Sequence, residues 1–126
     1  GDGELAEGSN WEAALAAAHY GLDNLVIIND KNNLQLAGPT REIMNTDPLA
    51  DKWKAFGMTV TECQGNDMSS VVAAIEGLKQ EGKPNVIIAN TTKGAGISFI
   101  QGRPEWHHRV PKGEEIALAL EELKDE

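Results

Sequence analysis

Apolar and polar positions along this chain fall into two periods, one helical and one extended, that take turns from end to end. From Ser9 to about Gly21 the stretch SNWEAALAAAHYG is rich in Ala and sets Trp11, Leu15 and Ala18 on one face, with Ser9 and Glu12 at capping-box spacing. A helix stopped by Gly21 is the prediction. The run Leu25 to Ile28 is continuous, partly β-branched and bounded by Asn and Asp, which predicts a short parallel strand covered on both faces. QLAGPTREIM reads as loop and turn around Gly38-Pro39. In DPLADKWKAFG, Asp47 stands at a cap position, Pro48 at the first helical position, and Leu49, Trp53 and Phe56 recur at helical spacing until Gly57.

The alternation then repeats. MTVTEC predicts a strand, and Asp67 caps a helix whose Val71, Val72, Ile75 and Leu78 form an apolar stripe, closed by Lys79, Gly82 and Pro84. NVIIANT predicts a third strand. KGAGISFIQGRPEWHHRVPKG is a long Gly-rich loop, and Glu114 to Lys124 predicts a last helix with Ile116, Leu120 and Leu123 on one side. Strands separated by helices of this length imply right-handed βαβ units, hence an α/β fold with an open parallel sheet and helices on both faces. No internal repeat or low-complexity linker interrupts the pattern.

Composition narrows the setting. A length of 126 residues suits one domain, with 40% hydrophobic and 25% charged residues and no apolar run near the roughly 20 residues of a membrane span. Eleven basic against twenty acidic residues give a net charge of −9, which disfavours nucleic acid as a partner and shows no local basic patch to override it. The lone Cys63 can form neither an internal disulfide nor a cysteine-based zinc site, which points to a reducing cytoplasm. An acidic protein that binds a phosphorylated ligand needs a local metal, lysine or arginine, and the search for chemistry starts there.

In open α/β sheets, ligands bind beyond the carboxyl ends of the strands. Three segments qualify: Asp2 with Gly3 and Glu4, NDKNNLQ after the first strand, and TTKGAGI after the third. In GDG a short carboxylate sits between two residues that let backbone approach an anion, while its oxygen can face a hard cation. Such a turn normally ends a strand, so the sequence is expected to lack an upstream part of its domain. Asp2 and Asn32 are thirty residues apart, one helix plus one strand, so a crossover would return Asn32 to the edge that holds Asp2. Both could share Mg²⁺ or Ca²⁺ and, through it, a diphosphate. Lys93, followed by Gly-x-Gly after a buried strand, suits a phosphate contact. Each of these residues also has an ordinary use as a turn residue or a solvated lysine, and it is their joint occurrence at strand ends that favours a site. His107 and His108 are adjacent, so in extended backbone at most one faces a given site. His19 reads as a surface residue of the first helix.

GDGELAEGSNWEAALAAAHYGLDNLVIINDKNNLQLAG resembles the thiamine diphosphate signature of the transketolases, a GDG followed about thirty residues on by Asn. The resemblance continues through GPTREIMNTDPLADKWKAFGMTVTECQGND and IANTTKGAGISFIQGRPEWHHRVP, so it covers nearly the whole chain. It is greatest to the amino-terminal subunit of the split transketolases, in which diphosphate-binding and pyrimidine-binding domains are separate polypeptides. It implies Asp2 and Asn32 as Mg²⁺ ligands through side-chain oxygens, Leu34 through its carbonyl, and Gly3 and Glu4 beside the diphosphate, with Lys93 offsetting its charge. The family's WHGKxP matches WHHRVP, which places the catalytic histidine at His107, with His108, where the family has Gly, as the alternative, and puts Arg109 where the family has Lys. Glu7 matches a glutamate at the subunit interface that links two active sites.

The implied activity is ketol transfer, in which a two-carbon unit passes from a ketose phosphate to an aldose phosphate on thiamine diphosphate. The family's upstream histidines and its pyrimidine-binding domain, with the glutamate that activates the cofactor, are outside these residues, so the chain alone is expected to be inactive. The expected partners are a second copy in a homo-oligomeric assembly and a pyrimidine-binding, carboxy-terminal subunit. Two alternatives stand beside this reading: a deoxyxylulose phosphate synthase-like enzyme, which shares the KGxG and His features, and a non-catalytic diphosphate, metal or dimerisation module. EGSNWEA and LQLAG favour transketolase.

Overall fold

The computed structural model describes residues 1–36 and 38–124. A 3-10 turn (Gly3–Ala6) leads into helix α1 (Gly8–His19) and strand β1 (Val26–Lys31). Two-residue strands β2 (Leu34–Gln35) and β3 (Gly38–Pro39) form a small antiparallel hairpin, followed by α2 (Thr40–Ile43), α3 (Leu49–Ala55) and β4 (Thr59–Gln64). Then come α4 (Met68–Glu76), β5 (Asn85–Asn90), a second 3-10 turn (Pro104–His107) and α5 (Glu114–Glu122).

The sheet runs β1-β5-β4 and is parallel throughout, so the strand that comes last in sequence is central. Its side chains point to opposite faces in turn. On one face Val86 and Ile88 pack with Leu49 and Trp53 of α3 and with Ala14 and Ala17 of α1. On the other, Ile87 and Ala89 pack with Cys63 and with Ala74 of α4. Helices cover both faces, which is the α/β architecture the alternation predicted. Ala at the buried positions of α1 brings that helix close to the sheet, and Trp11 lies tilted against Trp53 and stacked on Phe56, at centroid distances of 4.9 and 5.3 Å.

Several local predictions need correction. β1 is an edge strand, with Val26 39% and Ile28 60% exposed, because α4 spans only β4 and β5 on that face. The apolar run is therefore covered on one face only. In α1 the buried positions are Ala14 and Ala17, while Leu15 is exposed. No Ser9–Glu12 capping box forms: Glu7 precedes the helix without a side-chain cap, and Ser9 already lies inside it because the chain enters from a 3-10 turn. The Asn10 amide instead donates to the Glu4 and Glu7 carbonyls, at 2.9 and 3.4 Å. In α4 the buried residue is Ala74, with Val72 and Ile75 exposed, although Asp67 caps it as predicted by accepting the Ser69 N–H at 2.9 Å. Ile116, Leu120 and Leu123 are exposed, and α5 buries Ala119.

Candidate functional site

The GDG turn lies against the carboxyl end of β1. The Asp2 N–H donates to the Asp30 carbonyl at 2.9 Å, and the Asp2 carboxylate accepts the N–H of Gly3 at 3.1 Å and of Asn33 at 2.8 Å. Asp2 and the Asn32 segment are thus brought together, as the thirty-residue spacing requires. Beyond β1, Asn32 Oδ1 accepts the Leu34 N–H at 3.0 Å, and the hairpin closes as the Thr40 N–H meets the Asn33 carbonyl. Asn33 (φ 60°) and Leu36 (φ 47°) both take left-handed backbone. For Leu36 this is a rare and costly conformation of the kind that gathers at functional sites. Gly3 is fixed by packing, since a Cβ there would come within 2.9 Å of the Gln35 side chain.

These segments wall a cavity of about 350 Å³, the size of a small-molecule site. Gly3, Glu4 and Glu7 line it from the turn, and Asn32 and Leu34 from the hairpin. Lys93 and His107 reach it from the long loop, 61 and 75 residues after Asn32 in the chain. The Lys93 loop is held at both ends: the Thr92 N–H donates to Asn66 Oδ1 at 2.6 Å, and the Gly102 N–H to the Lys93 carbonyl at 2.9 Å. His108 is exposed and does not line the cavity; its ring meets that of His107 edge-on at 4.4 Å. Asp2 lies behind the wall, 1% exposed, between the lining residues Gly1 and Gly3. Gln35, the last residue of the NDKNNLQ segment, also lines the cavity, as does Leu36 just beyond it, which was not foreseen. The only sequence signal at these positions is Asn33, a residue tolerant of left-handed backbone, just before them.

Electrostatically the site lacks a positive charge where it needs one. Burial pushes the Asp2 carboxyl above its ordinary range, and the N–H groups of Asn33 and Gly3 only partly oppose that. Among the described residues no basic side chain pairs with Asp2. An ionised carboxylate so placed is costly unless a cation joins it, and its unused lone pairs can serve one. Gln35 Oε1 is a buried oxygen without a hydrogen-bond partner. Among the described residues no group of three or more His, Cys, Asp and Glu could hold a metal. A set of one carboxylate, one amide oxygen and one backbone carbonyl is of another kind, hard and suited to a cation that keeps water or phosphate oxygens as further ligands. The donors present could hold such a cation, and Lys93 lines the same cavity.

A cavity at the carboxyl ends of parallel strands, bordered by a Gly-Asp-Gly turn, lies where proteins of the open α/β class bind their ligands. Known proteins make the class specific: the family model for the transketolase thiamine diphosphate binding domain matches residues 1–124, and the chain belongs to that family. It is 74% identical over 126 residues to an apulose-4-phosphate transketolase subunit of Actinobacillus succinogenes, covering 100% of this chain and 46% of that protein. It is 42% identical over 127 residues to the 6-deoxy-6-sulfo-D-fructose transketolase subunit SqwG of a Clostridium species, again with 100% and 46% covered. Among solved structures, the transketolase of Campylobacter jejuni superposes with a TM-score of 0.86 at 31% identity over 94% of this chain and 18% of that one. The Leishmania mexicana transketolase does so at 0.79 and 34% identity, over 91% and 17%. The chain therefore spans about half the length of the curated relatives it matches. No helix among the described residues is long and apolar enough to cross a membrane.

Proposed function

We propose that this chain is the part of a transketolase that holds the diphosphate and Mg²⁺ of thiamine diphosphate, for two-carbon ketol transfer between sugar phosphates. The observation that carries the reading is the convergence of Gly3, Asn32, Leu34, Lys93 and His107 on one strand-end cavity with the buried Asp2 carboxylate behind it. Asp2 and Asn32 would hold Mg²⁺ through side-chain oxygens and Leu34 through its carbonyl, with Ca²⁺ a substitute of the same hard character. The Asp2 carboxylate that now accepts the Gly3 N–H would turn to the metal, leaving that N–H for a phosphate oxygen. Lys93 would neutralise part of the diphosphate charge in a chain of net charge −9. Glu4 borders the cavity with its N–H already donated to the Gly1 carbonyl, so it serves as wall. His107 would position donor and diphosphate and move a proton at a sugar hydroxyl.

Thiamine diphosphate, when bound, supplies the carbanion chemistry; these residues place it and screen its charge. Activity needs the pyrimidine-binding subunit, and the naming of two relatives as transketolase subunits supports that division and favours ketol transfer over a deoxyxylulose phosphate synthase activity. Glu7, exposed at the start of α1 and on the cavity wall, suits a contact with a second copy that joins two sites. Calorimetry tests the reading. Asp2→Ala should weaken binding of thiamine diphosphate with Mg²⁺ by about a hundredfold or more, because it removes the only charged ligand. Affinity within a few-fold of the parent would mean that the turn does not hold the cofactor.

A further inference from the structure

The segment that delivers His107 is closed by a clasp to which the proposed reaction assigns no role. Trp106 is 9% exposed and meets Phe99 edge-on, with ring centroids 5.4 Å apart, so it is anchored in the fold. Three residues on, the Arg109 guanidinium lies over the Trp106 ring, 4.2 Å from its centroid. The same guanidinium is ion-paired with Glu115 in the first turn of α5, and the other Glu115 oxygen accepts the Lys112 N–H at 3.0 Å. Residues 106 and 109 are thus folded onto each other and tied to a helix. His107 and His108 lie within the closed turn.

The His107 ring has no hydrogen-bond partner of its own among the described residues. A cavity-lining imidazole without a polar tether takes its direction from its backbone, and the backbone here is set by the contacts on either side. We infer that Arg109 is a positioning residue: by bridging Trp106 and Glu115 it shapes the turn that presents His107 to the cavity. A cation able to reach both an aromatic face and a carboxylate is what position 109 requires, so lysine should serve in its place, whereas alanine should not. The inference rests on the reading of the cavity as a diphosphate site, and two measurements separate the two.

The first needs no ligand. Imidazole resonances of the intact polypeptide, assigned with His107→Ala and His108→Ala, should show His107 shifted in Arg109→Ala and unmoved in Arg109→Lys. A His107 signal unchanged in Arg109→Ala overturns the inference. The second is a double-mutant cycle read by calorimetry, with inorganic diphosphate and Mg²⁺ as probe. Arg109→Ala should weaken binding roughly tenfold, Arg109→Lys should restore it, and Arg109→Ala should cost nothing further in a His107→Ala background. Additive losses would mean that Arg109 meets the anion directly or acts elsewhere, which also overturns the inference. If parent and His107→Ala bind the probe equally while Arg109→Ala still shifts His107, the positioning stands and the diphosphate reading of His107 fails.

Discussion

Two strands of this protein carry the same three residues in hydrogen-bonded neighbours, and only one of them buries all three. Val86, Ile87 and Ile88 in β5 are 0%, 1% and 1% exposed. Val26 and Ile28 in β1 are 39% and 60% exposed, although Ile27 pairs with Val86 and Ile28 with Ile87 in the parallel register. The difference lies in neighbours. β5 has a strand on either side and helices above and below, while β1 stands at the edge with one face open. The central strand therefore supplies stability, and the edge strand places Asp30, Lys31 and Asn32 where the GDG turn and the hairpin meet.

The comparison breaks most sharply at Ile87 and Ile28. Ile87→Ala should cost about 2 to 5 kcal/mol of folding stability, since it empties a closed core site. Ile28→Ala should stay within about 0.5 kcal/mol, and denaturant unfolding of the two variants measures both. Equal losses would mean that β1 is covered in solution. Cover of that kind is expected from association with another chain. The exposed Val26 and Ile28, with Leu15 of α1 60% exposed and Tyr20 just after that helix 72% exposed, should drive a dimer or larger complex with the Glu7 to Leu22 region at or near the contact. Light scattering that finds a soluble monomer at micromolar concentration, unchanged by thiamine diphosphate and Mg²⁺, would remove this assembly.

The smallest effect concerns how the strand ends are tied. Lys31 Nζ lies 2.9 Å from Asp47 Oδ1, whereas the β5 end is tied by a neutral amide, Asn90 Nδ2 to Glu62 at 3.4 Å. The Lys31 hydrogen bond holds the Asp47 carboxyl below its ordinary range. A depressed value in the folded state means stability present above the unfolded value and lost as pH falls through the folded one. Melting temperature should therefore fall less steeply on acidification, below about pH 4, in Asp47→Asn than in the parent. Asp2 has the opposite sign: its raised value makes ionisation work against the fold as pH rises through that range.

What the sequence made legible follows from the same contrast. β5, the Trp53 face of α3 and the Asp67 cap were readable because period, β-branching and cap chemistry agree there. Edge or centre was not, since LVIIND and NVIIAN read alike and the order β1-β5-β4 depends on pairing between distant segments. At the site, Asp2, Asn32, Lys93 and His107 were placed by strand-end position and by family resemblance, and all but the buried Asp2 line the cavity. Gln35 fell within the NDKNNLQ segment without being singled out, and Leu36 escaped notice, because a hairpin with two residues per strand has no period and a left-handed Leu has no signature in composition. The buried side of α1 was misread for a related reason: in an Ala-rich helix, close approach to the sheet outweighs side-chain size, so Ala14 is buried where Leu15 was expected.

In the proposed site Asp2, Asn32 and Leu34 would gather one hard cation beside a diphosphate. Mn²⁺ in place of Mg²⁺, added with thiamine diphosphate to the isotopically labelled chain, broadens amide resonances according to their distance from the ion. The Gly3, Asn33 and Leu34 amides should be lost first, then those around Lys93 and His107, with β4 and α4 retained. Broadening that begins instead among the surface carboxylates of α5, or that is unchanged by Asp2→Ala, would contradict it.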